Sequence, residues 1–468
     1  MDYPHAHTTA TSASATPVRP GTPESHSPYH STPYHDNITP LPRANPFDTP
    51  FVSRPGSINA SSSVAVHQQG LSQRYFHSRR VRKGEVERPW MDKKDPREKW
   101  VTIIPLMGLA LGFALAGFLV YDGLKTVVNH VYCPVLDEDF SGGFNTKVWT
   151  KEAEVGGYGN GQFEETTVTD ENVFIQDGKL VIKPTLQDAK LIETNNVIDL
   201  TKQGICSSTV WSDCIAVTNT TNGSIVNPVK SGRVNSKKGA SIKYGRVEVT
   251  AQIPEGDWLW PAIWMLPVKD TYGPWPQSGE IDIMESRGNN WTYAQGGNNI
   301  MSSALHWGPN TANDAWWRTN VKRNALHTTF SAKPHTFGLE WSEKYLFTYI
   351  DTRLLQVVYT NFNQPLWKRG DFPLSDSNGT RLIDPWSQTG NDATPFDQDF
   401  YLILNVAVGS TNGWFQDGAS GKPWVDQSPT AKKDFWDARS QWQPTWEKNG
   451  QMVVTSVKMW QQQGHNGC

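Results

Sequence analysis

Hydrophobic and polar positions alternate in many short segments after about residue 133. Residues 172–175 and 179–182 form one such pair, and an Asp-Gly sequence separates them. This pattern predicts a β-hairpin. Similar alternation recurs at residues 244–253, 336–341, 345–350 and 400–408. Long helical patterns are absent from this part of the sequence, so about 330 residues of short strands predict an all-β sandwich.

An unbroken apolar run occupies residues 101–121. Its 21 residues include no charged side chain. As a helix the run would be about 30 Å long, the thickness of the hydrocarbon core of a bilayer. A buried helix of this length would show a polar edge, and a signal peptide would be shorter and closer to residue 1. The run therefore predicts one transmembrane helix, with membrane lipid as its partner.

The charges beside this run predict its orientation. Nine Lys or Arg residues lie within residues 79–99, and only Lys125 lies within residues 122–141. The positive-inside rule then places the N-terminus in the cytosol. We expect a single-pass type II protein whose C-terminal part is luminal or extracellular, in the secretory pathway or at the plasma membrane.

The N-terminal segment has a different composition. Residues 1–75 are rich in Ser, Thr, Pro, His and Asn. Such a segment buries too little apolar surface to offset its conformational entropy, which predicts disorder. The predicted organisation is a cytosolic tail with its basic run at 1–100, a transmembrane helix at 101–121, a stem at 122–132 and a catalytic domain at 133–468.

Four cysteines follow the apolar run: Cys133, Cys206, Cys214 and Cys468. Their spacing and the absence of a matching His argue against a zinc site. An even number of cysteines suits disulfides in an oxidising compartment. A Cys206–Cys214 bond would close a short loop, and Cys133 with Cys468 would join the two ends of the predicted domain.

N-glycosylation sequons agree with the predicted topology. Four candidates lie after the apolar run, at Asn219, Asn222, Asn290 and Asn378. Asn37 and Asn59 also match, but a cytosolic tail would leave them unmodified.

Composition adds one unusual number, 21 Trp, of which 19 lie between Trp149 and Trp460. Trp suits both core filling and stacking on sugar rings, and we expect most of these residues in the core. The net charge of −3 and the absence of a basic footprint argue against a nucleic-acid partner.

Three acids stand close together in the strand-like segment 279–286. In a regular strand Glu280 and Asp282 share one face and Glu285 lies on the other. A β-bulge near residues 283–284 would return Glu285 to the shared face. Folding alone does not require three mutually repelling acids on one face, so the pattern predicts a function.

Glycoside hydrolysis uses two carboxyl groups, one ionised nucleophile and one proton donor. An exposed acidic edge strand or part of a calcium site would give the same bare pattern. The flanking segments are rich in Trp, at residues 258–275 and 307. A sugar-binding cleft explains this context better than a solvated edge.

Two long motifs are KYGRVEVTAQIPEGDWLWPAIWMLP at 243–267 and GEIDIMESRGN at 279–289. With segments 135–140, 335–341, 403–409, 444–446 and 456–460, they resemble the laminarinase-type branch of glycoside hydrolase family 16. They also resemble its animal relatives, the β-1,3-glucan recognition proteins. The resemblance covers essentially residues 134–462. It implies a concanavalin A-like β-jelly-roll sandwich, with a cleft on the concave face and retaining chemistry on β-1,3-glucans.

The same resemblance implies residue roles. Glu280 would be the nucleophile, Asp282 the assisting acid and Glu285 the general acid/base. The implied substrate-binding residues are Trp264, Trp275, His306, Arg233, Asn235, Arg287 and Trp414, with His306 on the next strand near Glu280. No cofactor is expected, although the family includes members with a structural calcium whose ligands no Asp/Asn cluster identifies here.

The leading hypothesis is a membrane-anchored endo-β-1,3-glucanase or glucan transglycosylase acting on cell-wall β-glucan. The type II arrangement resembles that of fungal proteins in β-1,6-glucan synthesis, so a factor in β-1,6-glucan assembly is an alternative. A non-catalytic β-glucan receptor and a scaffold for wall-assembly enzymes are others. The sequence does not identify protein partners.

Overall fold

The computed structural model describes residues 79–93, 95–126 and 130–468. The predicted disordered tail and the sequons at Asn37 and Asn59 lie outside the described residues. The chain divides into two units, Met1–Val101 and Thr102–Cys468. In the first unit a short helix, α1, covers Pro89–Asp92. The described basic residues before the apolar run are exposed, and Arg79 pairs with Glu85 at 2.6 Å.

The apolar run forms most of helix α2, Glu98–Thr126. Its part Glu98–Gly123 is long and apolar enough to cross a membrane, by length and composition alone. The described side chains of this part are exposed, including Leu111 and Phe113. A helix that is apolar on every side is typical of burial in a core or in a bilayer.

Short strands make up most of the second unit. The strands are β1 Tyr132–Glu138, β2 Thr150–Lys151, β3 Glu164–Thr166, β4 Val173–Gln176, β5 Lys179–Ile182, β6 Thr185–Leu186, β7 Asn196–Asp199, β8 Ile215–Thr218, β9 Val229–Ser231, β10 Arg233–Asn235, β11 Ser241–Ile242, β12 Gly245–Gln252, β13 Leu259–Pro267, β14 Glu280–Ser286, β15 Ile300–His306, β16 Val321–Asn324, β17 His335–Trp341, β18 Tyr345–Ile350, β19 Thr352–Asn361, β20 Phe400–Val408 and β21 Met452–Gln462. The helices are short: α3 Ala189–Glu193, α4 Trp211–Cys214, α5 Leu366–Gly370, α6 Ala431–Asp437 and α7 Arg439–Trp442, with 3₁₀ turns at Thr311–Asn313, Trp316–Arg318 and Gln443–Trp446.

Two antiparallel sheets of eight strands form a sandwich, as the alternation predicts. One sheet has the order β19-β18-β17-β12-β21-β5-β4, with β1 also paired to β21. The other has the order β16-β15-β14-β13-β20-β10-β2, with β11 also paired to β20. Two small sheets, β3-β9-β6 and β7-β8, lie outside these paths.

The core combines alternate side chains of both sheets. Val247, Val249 and Ala251 of β12 are fully buried, while the residues between them are partly exposed. They share one apolar cluster with Ile281 and Met284 of β14. Each buried Val, Ile or Met side chain contributes ~1.5–3 kcal/mol by leaving water.

Two local predictions are confirmed in this unit. β4 and β5 pair as a hairpin, and its turn residues Asp177 and Gly178 have φ of 51° and 66°, as a type I′ turn requires. Disulfides join Cys133 to Cys468 and Cys206 to Cys214. The first bond connects the beginning of β1 to the residues that follow β21.

Candidate active site

Strand β14 lies between β13 and β15, and it contains the predicted bulge. Asp282 is opposite Ala304 and Glu285 is opposite Ser302, so three steps along β14 match two along β15. The extra residue falls at Ile283–Met284, and both side chains are buried in the core. The bulge returns Glu285 to the face of Glu280 and Asp282, and all three acids line one cleft.

The cleft has a volume of about 760 Å³. Its aromatic lining comes from Tyr158 and from five tryptophans: Trp260, Trp264, Trp275, Trp316 and Trp414. Six of the seven predicted substrate-binding residues line it, namely Trp264, Trp275, His306, Arg233, Arg287 and Trp414. Asn235 is the exception, and its position is described below.

Glu280 is held by an indole and faces a histidine. Trp275 Nε1 donates a hydrogen bond of 3.0 Å to Glu280 Oε2. His306 is directly opposite Glu280 in the β14–β15 register, and its Nε2 lies 3.9 Å from Glu280 Oε1. The predicted position of His306, on the next strand near Glu280, is confirmed.

His306 lies between two aspartates. Its Nε2 is 3.1 Å from Asp282 Oδ2, and its Nδ1 is 2.5 Å from Asp314 Oδ2. Burial alone would lower the pKa of His306, but the carboxylates of Asp282 and Glu280 raise it well above its ordinary value. The acids of β14 therefore favour the protonated form of this ring.

The buried acids resist ionisation. Burial raises the pKa of Glu280 and Asp282, and the neighbouring carboxylates add to the shift because like charges repel. Such a pair titrates as one unit and retains a shared proton above the ordinary range. Burial also raises the pKa of Glu285 to about 6, although His306 and Trp260 oppose the shift.

A stack of side chains stands behind Glu285. Trp260 Nε1 donates to Glu285 Oε1 at 3.0 Å, and Trp414 stacks on Trp260 with ring centroids 4.6 Å apart. Arg287 donates from Nε and Nη2 to the carbonyl oxygen of Trp414, at 3.0 and 2.6 Å. The guanidinium also covers the Trp414 ring at 4.0 Å. This arrangement fixes Glu285 and offers an aromatic wall to the cleft.

Arg233 forms another part of the cleft wall. Its guanidinium pairs with Glu152 at 2.8 Å and lies 4.0 and 4.8 Å from the ring centroids of Tyr158 and Trp264. Asn235 is buried and donates to Glu152 at 2.5 Å. The side chain of Asn235 thus supports the Arg233–Glu152 pair. Asn235 does not line the cleft, which corrects its prediction as a substrate-binding residue.

Sequence reasoning missed several residues of the site. Asp314 and Trp316 lie in the loop after β15, and Glu152 follows β2. Nothing in the local sequence links these residues to β14, because only the folded positions of their loops bring them near that strand. Trp260 belongs to the Trp-rich motif before β14, and that motif is its only signal in the sequence. Its place near Glu285 follows from the pairing of Ala262 with Glu285, which the structure reveals.

Comparison with known proteins places these features in a family. The model of glycosyl hydrolases family 16 matches residues 187–378. The β-1,3-glucan-binding protein of Penaeus monodon is 36% identical over 342 residues, 70% of this chain and 90% of that protein. Glucan endo-1,3-β-glucosidase A1 of Niallia circulans is 31% identical over 258 residues, 54% of this chain and 29% of that protein. The catalytic domain of an endo-1,3-β-glucanase (laminarinase) from Thermotoga petrophila covers 72% of this chain and all of its own, at 22% identity and a TM-score of 0.44.

Proposed function

Because the chain belongs to glycosyl hydrolases family 16, we propose that it is a retaining endo-β-1,3-glucanase or glucan transglycosylase that acts on cell-wall β-glucan. One observation carries the proposal: a bulge in β14 brings Glu280, Asp282 and Glu285 to one face, inside a cleft lined by tryptophans. Carboxyl groups paired beside stacking surfaces are what hydrolysis of a polysaccharide requires.

The reaction assigns opposite tasks to the two glutamates. Glu280 attacks the anomeric carbon while the glycosidic bond breaks, and Glu285 protonates the departing oxygen. The product of this step is a glycosyl ester on Glu280. Glu285, now ionised, then takes a proton from water or from a sugar hydroxyl, and the resulting attack releases Glu280 with net retention at the anomeric carbon.

The shared proton explains how Glu280 can attack. When that proton resides on Asp282, Glu280 is an anion, and Trp275 stabilises the anion by its 3.0 Å hydrogen bond. His306 Nε2 lies 3.9 Å from Glu280 Oε1, and the protonated ring would also stabilise that anion. Asp282 is thus the assisting acid, because it carries the proton that would otherwise neutralise the nucleophile.

The cleft walls suit a chain of glucose units. The tryptophans present flat apolar faces to sugar rings, and Trp275 is 40% exposed. Arg233 and Arg287 offer donors to hydroxyl groups. Hydrolysis and transglycosylation share the same ester, and they differ in whether water or a sugar hydroxyl meets it.

A β-glucan receptor is the second candidate function. The relative from Penaeus monodon, which the chain covers over 90% of its length, is named as a β-1,3-glucan-binding protein. Binding needs the aromatic cleft but neither glutamate.

Product analysis separates these functions. The full chain, purified in detergent, would be incubated with β-1,3-, mixed-linkage and β-1,6-glucans, and NMR would follow the anomers. We expect turnover with retention, and losses of at least 10²-fold for Glu280→Gln and Glu285→Gln. Glucan binding by the wild type without turnover on any of the three polymers would favour the receptor. Inverted products would contradict the nucleophilic role of Glu280.

The membrane arrangement is part of the proposal. The apolar segment Glu98–Gly123 and the basic residues before it support a type II anchor with a cytosolic N-terminus. All four asparagines of the predicted sequons are exposed. We expect membrane vesicles to protect residues 133–468 from protease, and an N-glycosidase to reduce the apparent mass. Digestion of residues 133–468 in sealed vesicles would show that the topology is the opposite of the proposed one.

A further inference from the structure

A cluster of metal-binding atoms lies at the base of the cleft. Glu280, Asp282 and His306 each offer one such atom, and these atoms all lie within 4.8 Å of one another. His306 Nε2 is 3.1 Å from Asp282 Oδ2 and 3.9 Å from Glu280 Oε1. In the part of the chain that the structure describes, no other set of three His, Cys, Asp or Glu residues meets this condition.

An unsatisfied acceptor points into the cluster. Asp282 is 2% exposed, and its Oδ2 receives no aligned hydrogen bond. His306 Nε2 is 3.1 Å away but not aligned as a donor, and a buried carboxylate oxygen without a well-directed partner carries a cost in free energy. A cation between Asp282 and His306 would remove this cost.

The histidine is oriented as a metal ligand would be. Asp314 Oδ2 holds His306 Nδ1 at 2.5 Å, which leaves Nε2 facing the two carboxyl groups of β14. Asp314 is itself fixed, because its Oδ1 accepts from the backbone N–H groups of Trp307 and Trp316. A carboxylate on the far ring nitrogen is the usual support of a metal-bound histidine.

The donor set favours zinc. Bonds of ~2.1 Å in a tetrahedral site place neighbouring ligand atoms ~3.4 Å apart, and the observed 3.1 and 3.9 Å bracket that spacing. One imidazole and two carboxylates suit Zn²⁺, whereas Ca²⁺ and Mg²⁺ prefer oxygen ligands alone. The fourth position would face the cleft.

We propose that Glu280, Asp282 and His306 form a zinc site, and that the bound ion inhibits the enzyme reversibly. The ion would bind the carboxylate of Glu280, the proposed nucleophile, so zinc and glucan would compete. The inhibition rests on the proposed function, whereas the binding of zinc does not.

Calorimetry on the metal-stripped full chain in detergent tests the site, with ZnCl₂ as the titrant. We expect one equivalent to bind at this cluster, and His306→Ala and Asp282→Asn each to weaken its binding at least tenfold. Asp314→Asn should weaken it roughly 10-fold to 100-fold through the histidine. Glu285→Gln is the matched control, because it removes a neighbouring acid and leaves the three ligands in place.

The outcomes are separable. Zinc affinity that is unchanged in His306→Ala and Asp282→Asn, in samples whose unfolding transition is intact, would overturn the site. If zinc binds the active wild type without inhibiting it, the proposed competition between zinc and glucan would be wrong. A metal-free protein that binds zinc at this cluster but cleaves no glucan would refute the proposed function and support the site. MgCl₂ should give no comparable heat, and EDTA should restore activity.

Discussion

The two glutamates of the cleft are the same residue type in different surroundings. Glu280 has the carboxyl of Asp282 and the imidazole of His306 beside it, whereas Glu285 accepts from Trp260 in the aromatic stack. Burial opposes ionisation of both. The pKa of Glu280 is raised as well as that of Glu285, so the proposed nucleophile can attack only while the shared proton of the pair resides on Asp282.

The pH profile should report Glu285. Burial raises the pKa of Glu285 to about 6, and only the protonated form can donate to the departing oxygen. We expect kcat/KM on a β-1,3-glucan to fall about tenfold per pH unit above about pH 6. A nitrophenyl glucan oligosaccharide is the control, because its leaving group needs no proton. An equally steep alkaline limb for both substrates would exclude Glu285 as its source.

The repulsion around Glu280 should cost stability. Its pKa is raised from 4.5 in the folded protein, so between pH 4.5 and the folded pKa the folded state binds more protons than the unfolded state. Stability from this group is therefore lost as pH rises through that window. Glu280→Gln should be more stable than the wild type at pH 8, by on the order of 1 kcal/mol, and the gain should vanish at pH 4. Urea unfolding at the two pH values measures this.

Glu340 is the matched control for that variant. It is also a buried glutamate, but it pairs with Arg353 at 2.7 Å and accepts from Tyr345 at 3.1 Å. Glu340→Gln should lose ~2 kcal/mol or more, because it leaves polar partners behind. A gain in both variants would show that relief of repulsion at Glu280 is not the cause.

At the level of elements, strand β14 could be predicted closely and its surroundings could not. The three acids can share one face of β14, with the apolar residues between them in the core, only if the strand contains a bulge. The bulge could therefore be predicted from the local sequence. The partners of these acids depend on chain segments far away in sequence. Asn235 shows the limit: its neighbour Arg233 reaches the cleft, while a contact with Glu152 holds the amide behind it.

The loop that carries Trp414 is fixed by a buried lysine. Lys422 Nζ pairs with Asp417 at 2.5 Å and with Asp426, and donates to the carbonyl of Phe415 at 2.8 Å. Asp426 also accepts from the backbone of Gly413, beside Trp414. The lysine side chain is fully buried, so one cation holds both ends of the loop.

Lys422→Met should therefore affect stability and substrate binding together. We expect a loss of ~3 kcal/mol, since two carboxylates lose their partner. KM for glucan should rise roughly threefold to tenfold, or ~1 kcal/mol, because Trp414 is no longer held. Lys433→Met, which breaks an exposed pair with Asp437, should change stability by less than ~1 kcal/mol and leave KM unchanged. If Lys422→Met were destabilised but kept a normal KM, the loop around Trp414 would not contribute to substrate binding.

At the level of the whole molecule, the sandwich is readable because alternation and turn residues recur along the chain. Phe400–Val408 coincides with the predicted strand, and all nine of its residues are buried. The order of strands is not readable in the same way. β12 lies between β17 and β21, two strands that follow it by many residues, and local patterns carry no information on such pairing.

The two disulfides offer a test at this largest scale. Cys133–Cys468 spans 335 positions and Cys206–Cys214 spans 8. In the chain-entropy model these two bonds destabilise the unfolded state by about 6 and about 2.5 kcal/mol. Replacing both cysteines of the long bond by Ser should therefore lower the urea midpoint more than the same change in the short bond. An equal or reversed order would point to the folded state instead, because the short loop also holds the backbone of Ala153 through Ser207, one residue from the glutamate that pairs with Arg233.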